Sequence, residues 1–74
     1  MAVVKNFTVD VQNSRIGHSE CSGVIRAVEV EGEKFIQIDT YGSKDREFQN
    51  KLSQSLRLTE AAFNQLISLG KNHF

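Results

Sequence analysis

Proline is absent from the 74 residues, which excludes a proline-rich linker or tail. Cysteine occurs once, at Cys21, so neither a disulfide framework nor a cysteine-rich zinc module can form within one chain, and a reducing, cytoplasmic setting is expected. Neither sign of charge is in excess: nine Lys and Arg face nine Asp and Glu. A net charge of +0 excludes a uniformly basic, histone-like binder and an acidic tail protein. No apolar run approaches the roughly 20 residues of a membrane span. The opening Met1-Ala2-Val3-Val4-Lys5-Asn6 lacks the basic and apolar regions of a signal peptide. A single soluble domain over residues 1–74, with no membrane partner, is expected. A chain this short buries only about 60% of the surface its unfolded form exposes, so its core should be thin and a partner chain is anticipated.

What is present is mostly strand pattern. Val3, Phe7, Val9 and Val11 alternate with Asn6, Thr8 and Asp10, which predicts a half-buried strand over about 3–11 in which Lys5 is the one dissenter. Residues 12 to 23 are polar and turn-rich, with Ile16 their only apolar anchor, and read as a long loop. Strands over about 23–30 and 34–41 follow, joined across Glu31-Gly32-Glu33 as a hairpin. Its register is open: a three-residue loop pairs Val28 with Ile36, whereas a two-residue loop is expected to bring Arg26 to Asp39. Ile36 and Ile38 share one face of the second strand, and Phe35, Gln37, Asp39 and Tyr41 share the other.

A fourth strand over about 51–58 sends Leu52, Leu56 and Leu58 one way and Lys51, Ser53, Ser55 and Arg57 the other. Thr59 is a natural N-cap for a helix over about 60–69, whose stripe of Ala62, Phe63, Leu66, Ile67 and Leu69 ends at Gly70. The fold class is therefore α+β, a four-stranded curved antiparallel β-sheet followed by one C-terminal α-helix. One helix cannot cover both faces of such a sheet, so a homodimer through the helix, the sheet or both is expected.

Residues suited to catalysis or metal binding are few. His18-Ser19-Glu20-Cys21 gathers reactive types, but a zinc site needs three or four ligands and the other histidine, His73, lies in the tail. Asp39, Asp45 and Glu47 each have a basic neighbour and no second acid at a spacing suited to acid–base work. Gly42-Ser43-Lys44 lacks the upstream glycine and following helix of a phosphate-binding loop. No catalytic residue, metal site or cofactor is expected.

The basic residues are better placed. Residues 1 to 33 hold three basic and five acidic side chains, and residues 34 to 74 hold six and four, so the second half carries the positive field. Lys44, Arg46, Lys51 and Arg57 cluster around the fourth strand beside Ser53 and Ser55, a set that can act as a phosphate rail. Phe35, Tyr41 and Phe48 could offer stacking surfaces for bases. The opposing reading is an ordinary wet sheet face whose aromatics complete a core or a dimer contact.

The run Lys34-Phe35-Ile36-Gln37-Ile38-Asp39-Thr40-Tyr41, a charged loop, and Lys51-Leu52-Ser53-Gln54-Ser55-Leu56-Arg57-Leu58-Thr59 opening an amphipathic helix resembles the C-terminal part of the positive cofactor four family of transcriptional coactivators. The resemblance covers residues 34 to 70 and lies more in element order than in a strict motif. Ser55, Leu58 and Thr59 hold places comparable to the family's Ser-Leu-Thr, while Asp39 stands where the family tends to have an arginine. Phe48-Gln49-Asn50-Lys51 replaces a lysine-rich, proline-containing approach to the last strand. Gln37-Ile38-Asp39-Thr40-Tyr41-Gly42-Ser43 and Ser53-Gln54-Ser55-Leu56 are also similar to short bacterial proteins of unsettled function.

The resemblance implies a dimer binding single-stranded DNA on curved sheets. Lys44, Arg46, Lys51 and Arg57 would then contact phosphates, while Phe35, Tyr41 and Phe48 stack bases. The leading expectation is a small homodimeric module for single-stranded DNA or RNA. The alternative is a protein-interaction module, an accessory subunit or small inhibitor, favoured by neutral charge, Asp39 and the apolar helix stripe. An enzyme is not expected.

Overall fold

Along the chain come β1 (Ala2–Val4), β2 (Ser22–Val30), β3 (Glu33–Tyr41), β4 (Leu52–Leu58) and α1 (Glu60–His73). The structure, a computed structural model, describes residues 2–17, 20–42 and 52–74. The strands form one open sheet in the order β1-β4-β3-β2, and the single helix follows it, an α+β fold. β2, β3 and β4 pair antiparallel, while β1 runs parallel to β4, so the sheet is mixed rather than wholly antiparallel.

The first strand is also shorter than its pattern predicts, Ala2–Val4 instead of 3–11. The cause is β4, which ends at Leu58 where the chain turns into the helix. The amide of Thr59 donates to Val4 O at 3.2 Å, and beyond that bond no strand backbone remains alongside. Thr59 Oγ1 donates to Lys5 O at 2.9 Å and accepts from Ala62 N at 3.2 Å, so one side chain caps α1 and pins the end of β1. Farther on, Phe7 N donates to Gln65 Oε1 at 2.8 Å and Gln65 Nε2 donates to Phe7 O at 3.2 Å. A glutamine on the helix thus supplies the donor and acceptor a neighbouring strand would have provided, and Phe7, Val9, Leu66 and Leu69 line a small pocket beside it.

The hairpin has a two-residue turn, with Val30 opposite Glu33 and both Glu31 (φ 50°) and Gly32 (φ 84°) left-handed, as a type I′ connection demands. Arg26 consequently faces Gln37, not Asp39. Between β3 and β4 the register shifts at Thr40/Tyr41: Thr40 pairs Gln54 and Tyr41 pairs Leu52. This bulge leaves Ser53 without a partner and sets Leu52 opposite Tyr41, breaking its alternation with Leu56 and Leu58.

α1 runs to His73, through Gly70. A helical glycine costs only about 0.5–1 kcal/mol relative to alanine. Phe74 N donates to Gly70 O at 3.0 Å and Asn72 Nδ2 to Ser68 O at 3.0 Å, which carries the helix past the expected stop.

Burial is sparse. Among the described residues the buried apolar side chains are Leu58 (1% exposed) and Ala62 (0%), where the first helical turn meets β4. Ile36, Ile38 and Leu56 are half-buried on the same side of the sheet, while Ile25 is 75% exposed and Leu66, Ile67 and Leu69 on the helix are exposed. A groove of about 440 Å³ opens between Phe63 and Glu60 of α1 and Ala27, Ile36 and Leu58 of the sheet. Among the described residues no helix is long and apolar enough to cross a membrane.

Candidate nucleic-acid interface

The face of the sheet away from α1 is polar at its centre. Register fixes three side chains in one row across the strands, Arg26 of β2, Gln37 of β3 and Arg57 of β4, and in the next row Asp39 stands opposite Ser55. Asp39 (3% exposed) and Gln37 (8% exposed) are buried on this face, although among the described residues no helix or second sheet lies on it.

Asp39 is the hub. Its carboxylate accepts from Ser55 Oγ at 2.6 Å, from Arg26 Nε at 2.9 Å, and from Gln37 Nε2 at 3.0 Å to each oxygen. The Ser55 hydroxyl, the Arg26 guanidinium and the Gln37 amide together hold its pKa below the ordinary carboxylate value, against an opposing push from burial. Gln37 also accepts from Arg57 Nε at 2.8 Å, and Arg26 Nη2 donates to Tyr41 Oη at 3.1 Å. A continuous chain of bonds therefore runs Tyr41, Arg26, Asp39, Gln37, Arg57. Beyond it the Arg57 guanidinium lies over the Phe35 ring, 5.9 Å from the centroid. Among the described residues, every buried side-chain nitrogen and oxygen has a partner.

Of the residues expected to form a nucleic-acid surface, Ser55, Arg57, Phe35 and Tyr41 are gathered on this face. Each is already engaged: Ser55 donates to Asp39, Phe35 lies beneath Arg57, and the Tyr41 hydroxyl accepts from Arg26. Ser53 is exposed at the bulge and stands outside the network. Lys44, Arg46, Phe48 and Lys51 lie outside the described residues, as does His18. Cys21 is exposed and free.

Arg26 and Gln37 belong to the site although the second-half charge count leaves them out. Arg26 falls in the acidic first half and comes to the face through the hairpin turn, a signal carried by the Glu31-Gly32 pair. Asp39 is the fixed anion that orients both arginines, one directly and one through Gln37.

No protein-family model matches the chain, and no curated protein or solved structure shows significant similarity to it.

Proposed function

We propose that this protein is a small homodimeric module that binds single-stranded nucleic acid, DNA or RNA, on the helix-free face of its sheet and acts by binding rather than catalysis. One observation carries the reading: two guanidiniums, a serine hydroxyl and two aromatic rings lie together on one sheet face, preordered by a satisfied network around Asp39. Such a face offers both ingredients of single-strand recognition, cations for phosphates and π-surfaces for bases. The resemblance over residues 34–70 to the positive cofactor four family supports the same role, with transcription or DNA metabolism in the cytoplasm of a bacterium or phage-infected cell as its setting. Lys44, Arg46 and Lys51 would extend the positive field, and Phe48 the stacking surface.

The second copy belongs on the other side. Ile25 of β2 and Leu66, Ile67 and Leu69 of α1 are exposed, and a groove lined by Ile36, Leu58 and Phe63 lies open between helix and sheet, so a second copy covering this side would add to a thin core. The same exposed apolar side favours the rival reading, a module docking on a different protein.

Titrating a labelled oligothymidine and a duplex of equal length at two salt concentrations tests the binding. Single-strand binding that weakens with salt is the expected result, and absence of binding at low salt overturns the reading. Sedimentation at tens of micromolar should return a dimer, and a monomer would remove the pairing.

A further inference from the structure

A single strand could follow β4 along Ser53, Ser55 and Arg57, or it could cross the strands. The network speaks against the first path. Asp39 sits beside Ser55 in the row that such a strand would have to pass, and the Ser55 hydroxyl is already donated to its carboxylate. A phosphate there would meet a fixed negative charge and no free donor from Ser55.

The row Arg26–Gln37–Arg57 has the opposite character. Among the described residues, the Arg57 guanidinium hydrogen-bonds through Nε, to Gln37, and that of Arg26 through Nε and Nη2. Among the described residues, neither terminal nitrogen of Arg57 nor Nη1 of Arg26 has a partner. The side chain of Arg26 is 48% exposed while that of its partner Asp39 is 5% exposed, so the cation meets solvent and the anion lies beneath. With strands about 4.8 Å apart, the Arg26 and Arg57 backbones are separated by roughly 10 Å across the strands, a span over which two long side chains can reach two phosphates of one chain.

We propose that Arg26 and Arg57 form a two-point phosphate clamp across the sheet, so that a bound single strand runs over β2, β3 and β4 instead of along β4. Asp39 and Gln37 are positioning residues that fix the two guanidiniums by their inner edges. The inference rests on the single-strand reading and adds to it a direction and a binding residue from the acidic half of the chain.

The test is anisotropy of a labelled 15-mer oligothymidine over a salt series. Removing one phosphate contact lowers the slope of log K against log salt by about 0.7 for a single strand. Arg57→Ala should show that drop, and so should Arg26→Gln combined with Asp39→Asn. The double variant keeps net charge constant and leaves no buried carboxylate unpaired, so a loss cannot come from the general field, and circular dichroism checks its fold. Should that pair unfold the chain, Arg26→Lys reads the same point. A lysine paired to Asp39 has no second edge to offer, so the slope should again fall by about 0.7. Ser53→Ala should bind as the parent does. A double variant, or Arg26→Lys, with the parent slope while Arg57→Ala loses its contact would overturn the clamp and leave the single-strand reading standing. A parent protein that does not bind at low salt overturns both.

Discussion

The two faces of the sheet differ in how they reach burial. On the helix side, Ile36, Ile38 and Leu56 are half-buried, Ala62 of α1 is buried, Phe63 lines an open groove with Ile36 and Leu58, and the apolar Ile25 stays exposed. On the opposite side, among the described residues, Gln37 and Asp39 are buried with no helix or second sheet on them, and every buried side-chain nitrogen and oxygen has a partner. The difference follows from the reach and direction of the interactions. Hydrogen bonds between long polar side chains can close over a short one within a single sheet face, whereas apolar burial needs a second surface of matching area. Among the described residues, the polar face thus satisfies its buried groups by its own bonds, while much of the apolar side stays exposed.

The comparison can be broken first at Leu58, the largest fully buried side chain among the described residues. Leu58→Ala should cost about 2–5 kcal/mol and, in so thin a core, leave much of the protein unfolded in a urea titration followed by circular dichroism. A loss well below that range would mean the helix side contributes little to stability in one chain.

The next effect belongs to the polar face. Gln37→Ala takes one donor from Asp39 and strands Arg57 Nε, at a cost of about 1–2 kcal/mol measured the same way. A neutral result would show the network to be ornament on a sheet held by its backbone.

A further effect is confined to acid. The native pKa of Asp39 is lowered, so its contribution is fully present above the ordinary carboxylate value of about 4. It is lost as the pH falls from there through the lowered native value. Asp39→Asn should accordingly flatten the decline of the urea midpoint between pH 5 and pH 2. Parallel declines in parent and variant would place the acid sensitivity elsewhere.

The smallest effect concerns the turn that aligns both faces. Glu31 holds a left-handed conformation that asparagine tolerates better, so Glu31→Asn should stabilise by about 0.5 kcal/mol. Binding should be unchanged.

Much of this fold could be read from the chain. The order of elements, the Thr59 cap and the opposite faces of β3 follow from local patterns, because a strand's side chains alternate and a capping hydroxyl needs only its own next turn. The length of β1 could not be read that way. Phe7, Val9 and Val11 alternate as a strand would, but strand structure needs a neighbour, and β4 has turned into helix by that point. Leu52 misled for a related reason, since the bulge that sets it opposite Tyr41 exists only in the pairing of two strands. The candidate site divides similarly: the shared faces of Ser55 and Arg57 on β4 and of Phe35, Gln37 and Tyr41 on β3 were legible from strand parity, whereas the position of Arg26 opposite Gln37 needed the hairpin register.

The sequence by itself determined an α+β chain with more sheet than its one helix can cover, and a zero net charge made of an acidic half and a basic half. Only the tertiary structure decided that these halves meet. A two-residue turn lays β2 on β3, which brings Arg26 from the acidic half onto a carboxylate and an amide that also anchor Arg57 from the basic half. Charge counted along a chain is local to its residues, while charge on a surface depends on which strands lie side by side, and that is set by pairing across the sheet.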